Sequence, residues 1–329
     1  MDNSKRVKSY LFVPASQEKS LAKSKELVGN GDTIRIIDFE DSIKDATDVN
    51  RSAELKRQAR KTMQEYILSD NEPFCLRIND LRSSFWEEDV ELLSDLKEKI
   101  NFNSLCEGIV LSKTDSLEEV KSLLSILEER GIDVPIIPLI ETIKGMENLS
   151  EIISESKVKS VVFGHHDYFY EKDIFPIPST ALTSEVYRNT LGNIISTLKG
   201  SGVGLIDGIC PNLYDKEIEQ DCCRYLYQQA PELSLGKLTL NPQQVAAICT
   251  TDNWNKELEL TSEDDEASPS RKKEIARGII KSYENRLTSN LGVGRSGEMY
   301  LSPQQYYLAL DALDENNERN KPFKDLKIR

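Results

Sequence analysis

The stretch IIDFEDSI, residues 36–43, places apolar residues ahead of Asp38, Glu40 and Asp41 and then runs into a helix-like segment. Its apolar half suits a parallel strand covered on both faces, and carboxylates do not stay inside such a core without partners. A buried strand that ends in charge is what the C-terminal rim of a barrel of parallel strands requires. Seven other runs have the same character: KSYLFVP, PFCLRIN, EGIVLSK, VPIIPLIE, VKSVVFG, VGLIDGI and GKLTLNP. Each is followed by a helix-like segment, so the chain is read as a (β/α)8 TIM barrel with a C-terminal helical arm. The intervening helices are amphipathic. In SLEEVKSLLSILEERG, Leu117, Val120, Leu124 and Leu127 are expected to form the apolar stripe, with Gly131 as the stop. The glycines of GNGD (29–32) and GSGVG (200–204) are read as turns from a helix into the next strand rather than as phosphate loops.

After Ile248 the pattern changes. TSEDDEASPS is polar and acidic, and beyond it RKKEIARGIIKSYENRL is strongly helical. The expected organisation is therefore a barrel domain over residues 1–250, an acidic linker over 251–268 and a helical arm over 269–329. An arm of that size buries too little by itself, so it is expected to dock on the barrel mouth of the same or a neighbouring subunit.

The 42 basic and 56 acidic residues leave a net charge of −14, with no basic cluster. Such a surface repels phosphate backbones and anionic lipid, so neither nucleic acid nor a membrane is expected as a partner. No stretch approaches the ~20 apolar residues of a transmembrane helix, and the first residues lack a signal-peptide pattern, so a cytoplasmic protein is expected. The six cysteines lack paired zinc-site spacing and are read as buried small hydrophobes.

Charges recur where the strands end: Glu40 and Asp41 after strand 2, Arg77 on strand 3, Lys113 after strand 4, Glu141 after strand 5, Asp167 beyond strand 6 and Asp207 on strand 7. Any one acid here serves equally well as a helix cap, and Asp41 or Asp167 alone is open to that reading. Glu141 resists it, because Thr142 is the natural cap of the helix that follows. In register, these charges mark a site. Glu141 and Asp167 suit a hard divalent cation that keeps waters and leaves positions for a substrate. Glu40 and Asp41 are placed to hold its waters, while Arg77 and Lys113 face an anionic small-molecule substrate. His165 and His166, the only histidines, are expected on extended chain with their rings on opposite sides, in packing or hydrogen-bonding roles.

The motifs KSYLFVPAS, IIDFEDSI, LRIND, IVLSKTDSLEEV, IPLIETIKGMENLSEI, VVFGHHD, GLIDGI and GKLTLNPQQ resemble, in order and spacing, those of the citrate lyase β-subunit and malyl-CoA lyase family, over roughly residues 8–250. The resemblance implies a magnesium-dependent carbon–carbon lyase acting on a 3-hydroxy acyl thioester, carried on coenzyme A or a carrier protein. It implies Glu141 and Asp167 as Mg2+ ligands, Arg77, Glu40 and Asp41 as catalytic residues, and Arg77, Lys113 and Pro138 as substrate contacts. It also implies assembly as a homotrimer or larger. The chain departs from the family pattern at Ser112-Lys113, where Pro-Lys is usual, at Asn241 in place of a histidine, and at Leu301, where an acid is usual. The arm is accordingly expected to exclude water without supplying a proton donor, and Glu298 to be dispensable for turnover. The rival readings are an aldolase for free 2-oxo acids and a catalytically idle metabolite-binding barrel.

Overall fold

The computed structural model describes residues 7–28, 31–43, 49–69, 72–263, 265, 267–287, 294–296 and 299–313. Glu298, Gly29, Asn30 and the arm beyond residue 313 lie outside them. Eight strands, β1 (Lys8–Pro14), β2 (Thr33–Asp38), β3 (Phe74–Ile78), β4 (Cys106–Leu111), β5 (Ile136–Ile140), β6 (Ser160–Phe163), β7 (Gly204–Asp207) and β8 (Ser234–Thr239), close into one parallel barrel in sequence order. Closure is through β1 and β8, with Tyr10 opposite Leu238.

Alternation along each strand builds two cores. Tyr10, Ile34, Ile36, Cys75, Val110, Ile137, Leu139, Val162, Ile206 and Leu238 fill the barrel interior. The opposite parity, including Ile37, Leu76, Ile109, Ile140, Val161 and Leu205, packs under the helices. Each fully buried aliphatic side chain contributes about 1.5–3 kcal/mol, so closure is driven from both faces. This parity aims the last residue of a strand: Asp38 and Arg77 share the interior parity of Ile36 and Cys75 and so emerge over the mouth.

The helix Leu117–Glu129 starts at a Ser116/Glu119 capping box, and its fully buried stripe is Val120, Leu123 and Leu127. Leu117 and Leu124 flank that stripe, a correction to the expected face that follows from the helix leaning on β5 and on helix Leu149–Ile152. Gly131, Gly200 and Gly202 take positive φ at helix-to-strand turns. Cys75, Cys106, Cys210, Cys222 and Cys223 are buried and Cys249 is half-buried, all as free thiols.

Between the helix Pro242–Cys249 and the arm, the chain has no helix or strand among the described residues, yet it is tied to the barrel. Asp265 accepts hydrogen bonds from the Ser184 hydroxyl and the Glu185 amide at the start of helix Glu185–Leu198, and the Thr261 amide donates to the Leu182 carbonyl. The arm comprises helix Pro269–Leu287, a short antiparallel pair β9 (Gly294–Ser296) and β10 (Met299–Leu301), and helix Pro303–Leu313. Its own core joins Ala276, Ile279, Leu301 and Ala309. The last helix packs on helix His165–Glu171 at the mouth of the same chain's barrel. No helix among the described residues is long and apolar enough to cross a membrane.

Candidate active site at the barrel mouth

Asp38, the last residue of β2, organises the mouth. Its carboxylate accepts Arg77 Nε at 2.6 Å and a second Arg77 nitrogen at 2.5 Å, and also receives the Glu40 and Ser42 amides at 2.9 and 3.2 Å. Arg77 lies with its guanidinium 4.5 Å from the Phe12 ring centroid and meets Glu40 at 3.2 Å. Burial alone would push the Arg77 pKa down, but Asp38 and Glu40 outweigh it and hold the guanidinium firmly charged. The other Glu40 oxygen accepts Lys113 Nζ at 3.1 Å. Glu40 therefore bridges the two cations.

Lys56 supports this turn from below. Its ammonium donates to the Phe39 and Glu40 carbonyls at 2.7 and 3.0 Å and to Asn79 Oδ1 at 2.7 Å. Asn79 is held in turn by Asp89, which pairs with Arg60. The sequence reading places Asp38 at the rim without a role of its own and passes over Lys56 and Asn79. The parity of Asp38 was available as a signal, whereas Lys56 reads as an ordinary polar position on a helix.

Glu141 follows β5 and is buried, with Oε1 accepting the Lys113 amide at 2.9 Å. Thr142 caps the next helix by accepting the Gly145 amide at 2.9 Å, which frees Glu141 from that task. The Lys113 backbone sits at φ +49°, a region costly for a residue with a Cβ, and is fixed by Glu141 on one side and by Arg82 donating to its carbonyl at 3.0 Å on the other. Glu40 first, then Asp41, Asp167 and Glu141, raises the Lys113 pKa well above its ordinary value despite burial. Gly164 lets the chain after β6 approach: a Cβ there would stand 2.5 Å from Glu141 Cβ. Asp167 lies in the first turn of helix His165–Glu171, capped by Gly164, so it is not the helix cap.

The structure thus gathers Glu40, Asp41, Arg77, Lys113, Glu141 and Asp167 at one mouth. It does not bring Pro138 to them. Pro138 is buried within β5, on the helix-facing parity of Ile136 and Ile140, and pairs with Leu111. Asp207 also turns away from the mouth, receiving the Tyr187 hydroxyl and Lys237 Nζ, both at 2.8 Å, beneath the helices. The histidines correct another expectation. They open a helix rather than an extended segment, and their rings meet edge to face with centroids 4.4 Å apart. Burial pushes the His166 pKa down to about 3 and that of His165 well below its usual value, so both rings are neutral. His165 packs against Tyr187 and Phe163.

The departures from the family pattern have structural occupations. Ser112 donates to the Ile78 carbonyl at 2.8 Å. Asn241 caps helix Pro242–Cys249 by accepting the Gln244 amide at 2.9 Å and donates to the Leu213 carbonyl at 3.0 Å. Leu301 is buried in the arm's own core, and Gln304, three residues on, reaches the site, donating to Asp167 Oδ1 at 2.7 Å.

Charge decides whether this donor set fits a divalent cation. Among the described residues, Glu40, Asp41, Glu141 and Asp167 gather around Lys113, with Asp38 and Glu40 on Arg77. Burial, then Asp167 and Glu40, pushes the Glu141 carboxyl well above the usual carboxylate range, a penalty that a bound cation relieves. Oxygen donors alone suit a hard cation. No group of three or more His, Cys, Asp or Glu among the described residues is placed to hold a metal; Glu141 and Asp167 are the pair that would hold one.

The HpcH/HpaI aldolase/citrate lyase family model matches residues 8–219. The citrate lyase subunit β-like protein of Deinococcus radiodurans is 25% identical over 73% of this chain and 78% of its own length. The (3S)-malyl-CoA thioesterase of Cereibacter sphaeroides is 22% identical over 72% of this chain and 74% of its own. The structure of CitE from Mycobacterium tuberculosis in complex with magnesium, acetoacetate and coenzyme A superposes with a TM-score of 0.58 at 17% identity, covering 94% of this chain and 97% of that one, a likeness of fold. With a match through seven of its eight barrel strands, the chain belongs to the HpcH/HpaI aldolase/citrate lyase family.

Proposed function

We propose that the chain is a magnesium-dependent carbon–carbon lyase that cleaves a 3-hydroxy acyl thioester, such as a citryl, malyl or citramalyl thioester, into a 2-oxo acid and an acyl thioester. The observation that carries this reading is the buried Glu141 carboxylate among Asp167, Glu40 and Asp41, opposite Arg77 and Lys113. The magnesium and coenzyme A bound by the M. tuberculosis CitE support the same chemistry.

Glu141 and Asp167 would hold the ion, which when bound supplies Lewis acidity toward the 2-oxo acid's carboxylate and carbonyl oxygens. The reaction removes the proton of the substrate hydroxyl and breaks the adjacent carbon–carbon bond. The electron pair moves onto the thioester as an enolate, which is then protonated. Arg77 faces that developing charge. Its grip by Asp38 and Glu40 fixes the guanidinium before substrate arrives, so little reorganisation is needed during reaction. Lys113 adds a second cation for an anionic substrate, held in place by Glu40. Assembly as a homotrimer or larger belongs to the same proposal and is read by light scattering.

The relatives named thioesterases favour a second reading, hydrolysis of the thioester itself. One assay separates the two: malyl, citramalyl and citryl thioesters and the free acids are supplied with magnesium or with a chelator, and 2-oxo acid and free thiol are measured separately. The lyase produces 2-oxo acid without free thiol and stops in chelator. Thiol release without 2-oxo acid assigns hydrolysis, and cleavage that survives the chelator overturns the magnesium reading.

A further inference from the structure

The charged groups gathered at the mouth come from the barrel, but the orientation of one of them is set from the arm. Gln304 is half-buried, and its Nε2 donates to Asp167 Oδ1 across 137 residues of chain. Ser302, two residues earlier, meets His166 Nδ1 at 3.2 Å. The backbone that presents Gln304 is held by reciprocal hydrogen bonds. The Ser302 amide donates to Gln305 Oε1 at 2.9 Å, and the Gln305 amide donates to Ser302 Oγ at 3.2 Å, a reciprocal cap around the first turn of helix Pro303–Leu313. Buried Leu301, Leu308 and Ala309 anchor that turn on both sides. The amide therefore sits on a fixed platform, as a group that positions another must.

A carboxylate has two oxygens and about four acceptor sites. A donor at Oδ1 constrains the plane of the group, and with it the directions in which the carboxylate can meet a cation. A neutral amide does this without adding positive charge that would oppose the cation.

We propose that Gln304 is a positioning residue for Asp167: the arm sets the orientation of this carboxylate toward a divalent cation, so arm docking and cation binding strengthen one another. The inference rests on the reading of Glu141 and Asp167 as cation ligands. Linked equilibria are reciprocal, so an arm that improves the site is itself held more firmly when the site is filled.

The test uses the full chain. Magnesium binding is measured by calorimetry, and amide hydrogen exchange over residues 303–313 is followed with and without magnesium. The proteins compared are the wild type, Gln304→Met, which keeps side-chain length but removes the donor, Ser302→Ala, which loosens the start of the helix without touching Asp167, and Gln243→Met as a control. The expected result is a loss of magnesium affinity in Gln304→Met of about tenfold, the lower end of what removal of a ligand's hydrogen-bond partner produces. Its metal-free exchange should stay close to that of the wild type. Ser302→Ala should lose less, and Gln243→Met nothing. Magnesium should slow exchange in the wild-type arm more than in Gln304→Met. Equal or tighter binding in Gln304→Met overturns the inference, as does an equal loss in Ser302→Ala, which would trace the effect to arm docking alone. A wild type that binds no magnesium overturns the ligand reading itself, which sets that failure apart from the others.

Discussion

Two helices in this chain begin with nearly the same four residues, Asn241-Pro242-Gln243-Gln244 at the top of β8 and Ser302-Pro303-Gln304-Gln305 in the arm. Their local structures are alike. In each the first side chain accepts the amide of the last residue, and the last glutamine's carbonyl oxygen accepts a backbone amide before the first turn, from Leu240 in one and Ser302 in the other. Their surroundings differ. Gln243 is exposed to solvent, whereas Gln304 meets Asp167. Conversely, Gln244 turns its amide inward to Glu219 at 3.0 Å. Four residues fix how a helix starts, and the placement of that start decides whether its spare amide reaches a site.

The comparison breaks most completely if Asp167 is not what the arm serves. Glu141→Gln and Asp167→Asn should each lower magnesium affinity by more than about a hundredfold, beyond the 10–100-fold usual for groups one step removed from a metal. Magnesium-dependent turnover should vanish while the circular dichroism spectrum is kept. Unchanged affinity in both variants, read by calorimetry, removes the cation from the mouth and leaves Gln304 holding a purely structural acid.

Arg77→Lys comes next. An ammonium keeps the charge but cannot span Asp38 with two hydrogen bonds while keeping the guanidinium's contact with the Phe12 ring. We expect kcat to fall by about 10²-fold, the scale of losing one preorganised donor to a developing oxyanion, with a smaller change in KM. An effect confined to KM would make Arg77 a substrate anchor alone.

Much of this was legible in the sequence and some was not, for physical reasons. The eight strands announced themselves because strands covered on both sides are apolar on consecutive residues, and their charged ends marked the mouth. Glu141 stood out because Thr142 already had the capping role. Pro138, Asp207 and the histidine pair went astray because each depends on which face a side chain leaves by. At a strand end a shift of one residue exchanges the mouth for the helix layer. Gln304 was invisible because its partner lies 137 residues away, and nothing local separates it from Gln243.

The barrel-side motif should respond to pH through Glu219. Burial first, against the opposing Lys237 charge, raises the Glu219 pKa from 4.5 to about 7. In the unfolded chain the group loses its proton near 4.5, while the folded state holds it until about 7. The folded state therefore binds more protons between these values, and its stability falls as pH rises through that window. The stabilisation is complete below about 4.5. Its loss by pH 8 is on the order of 3 kcal/mol, since each pKa unit is worth about 1.4 kcal/mol. Glu219→Gln should flatten this stretch of the stability profile in denaturant titrations between pH 4.5 and 8. A profile that keeps its slope assigns the titration to another group.

The smallest expected effects come from removing the two caps themselves. Asn241→Ala and Ser302→Ala each delete an acceptor worth about 1 kcal/mol to a helix start. The consequences should differ in reach. Asn241 also donates to the Leu213 carbonyl, and its helix closes over β1 and β8, so Asn241→Ala leaves a buried carbonyl without that donor and lowers the midpoint of global unfolding. Ser302 caps a helix whose first turn meets the barrel through His166 and Asp167, so loosening it opens the arm while the barrel remains folded. Hydrogen exchange should accelerate over residues 303–313 in Ser302→Ala, with the denaturant midpoint of the barrel nearly unchanged. If both variants instead lower the global midpoint equally, the arm unfolds together with the barrel as one cooperative unit, and the independence of the two helix starts fails.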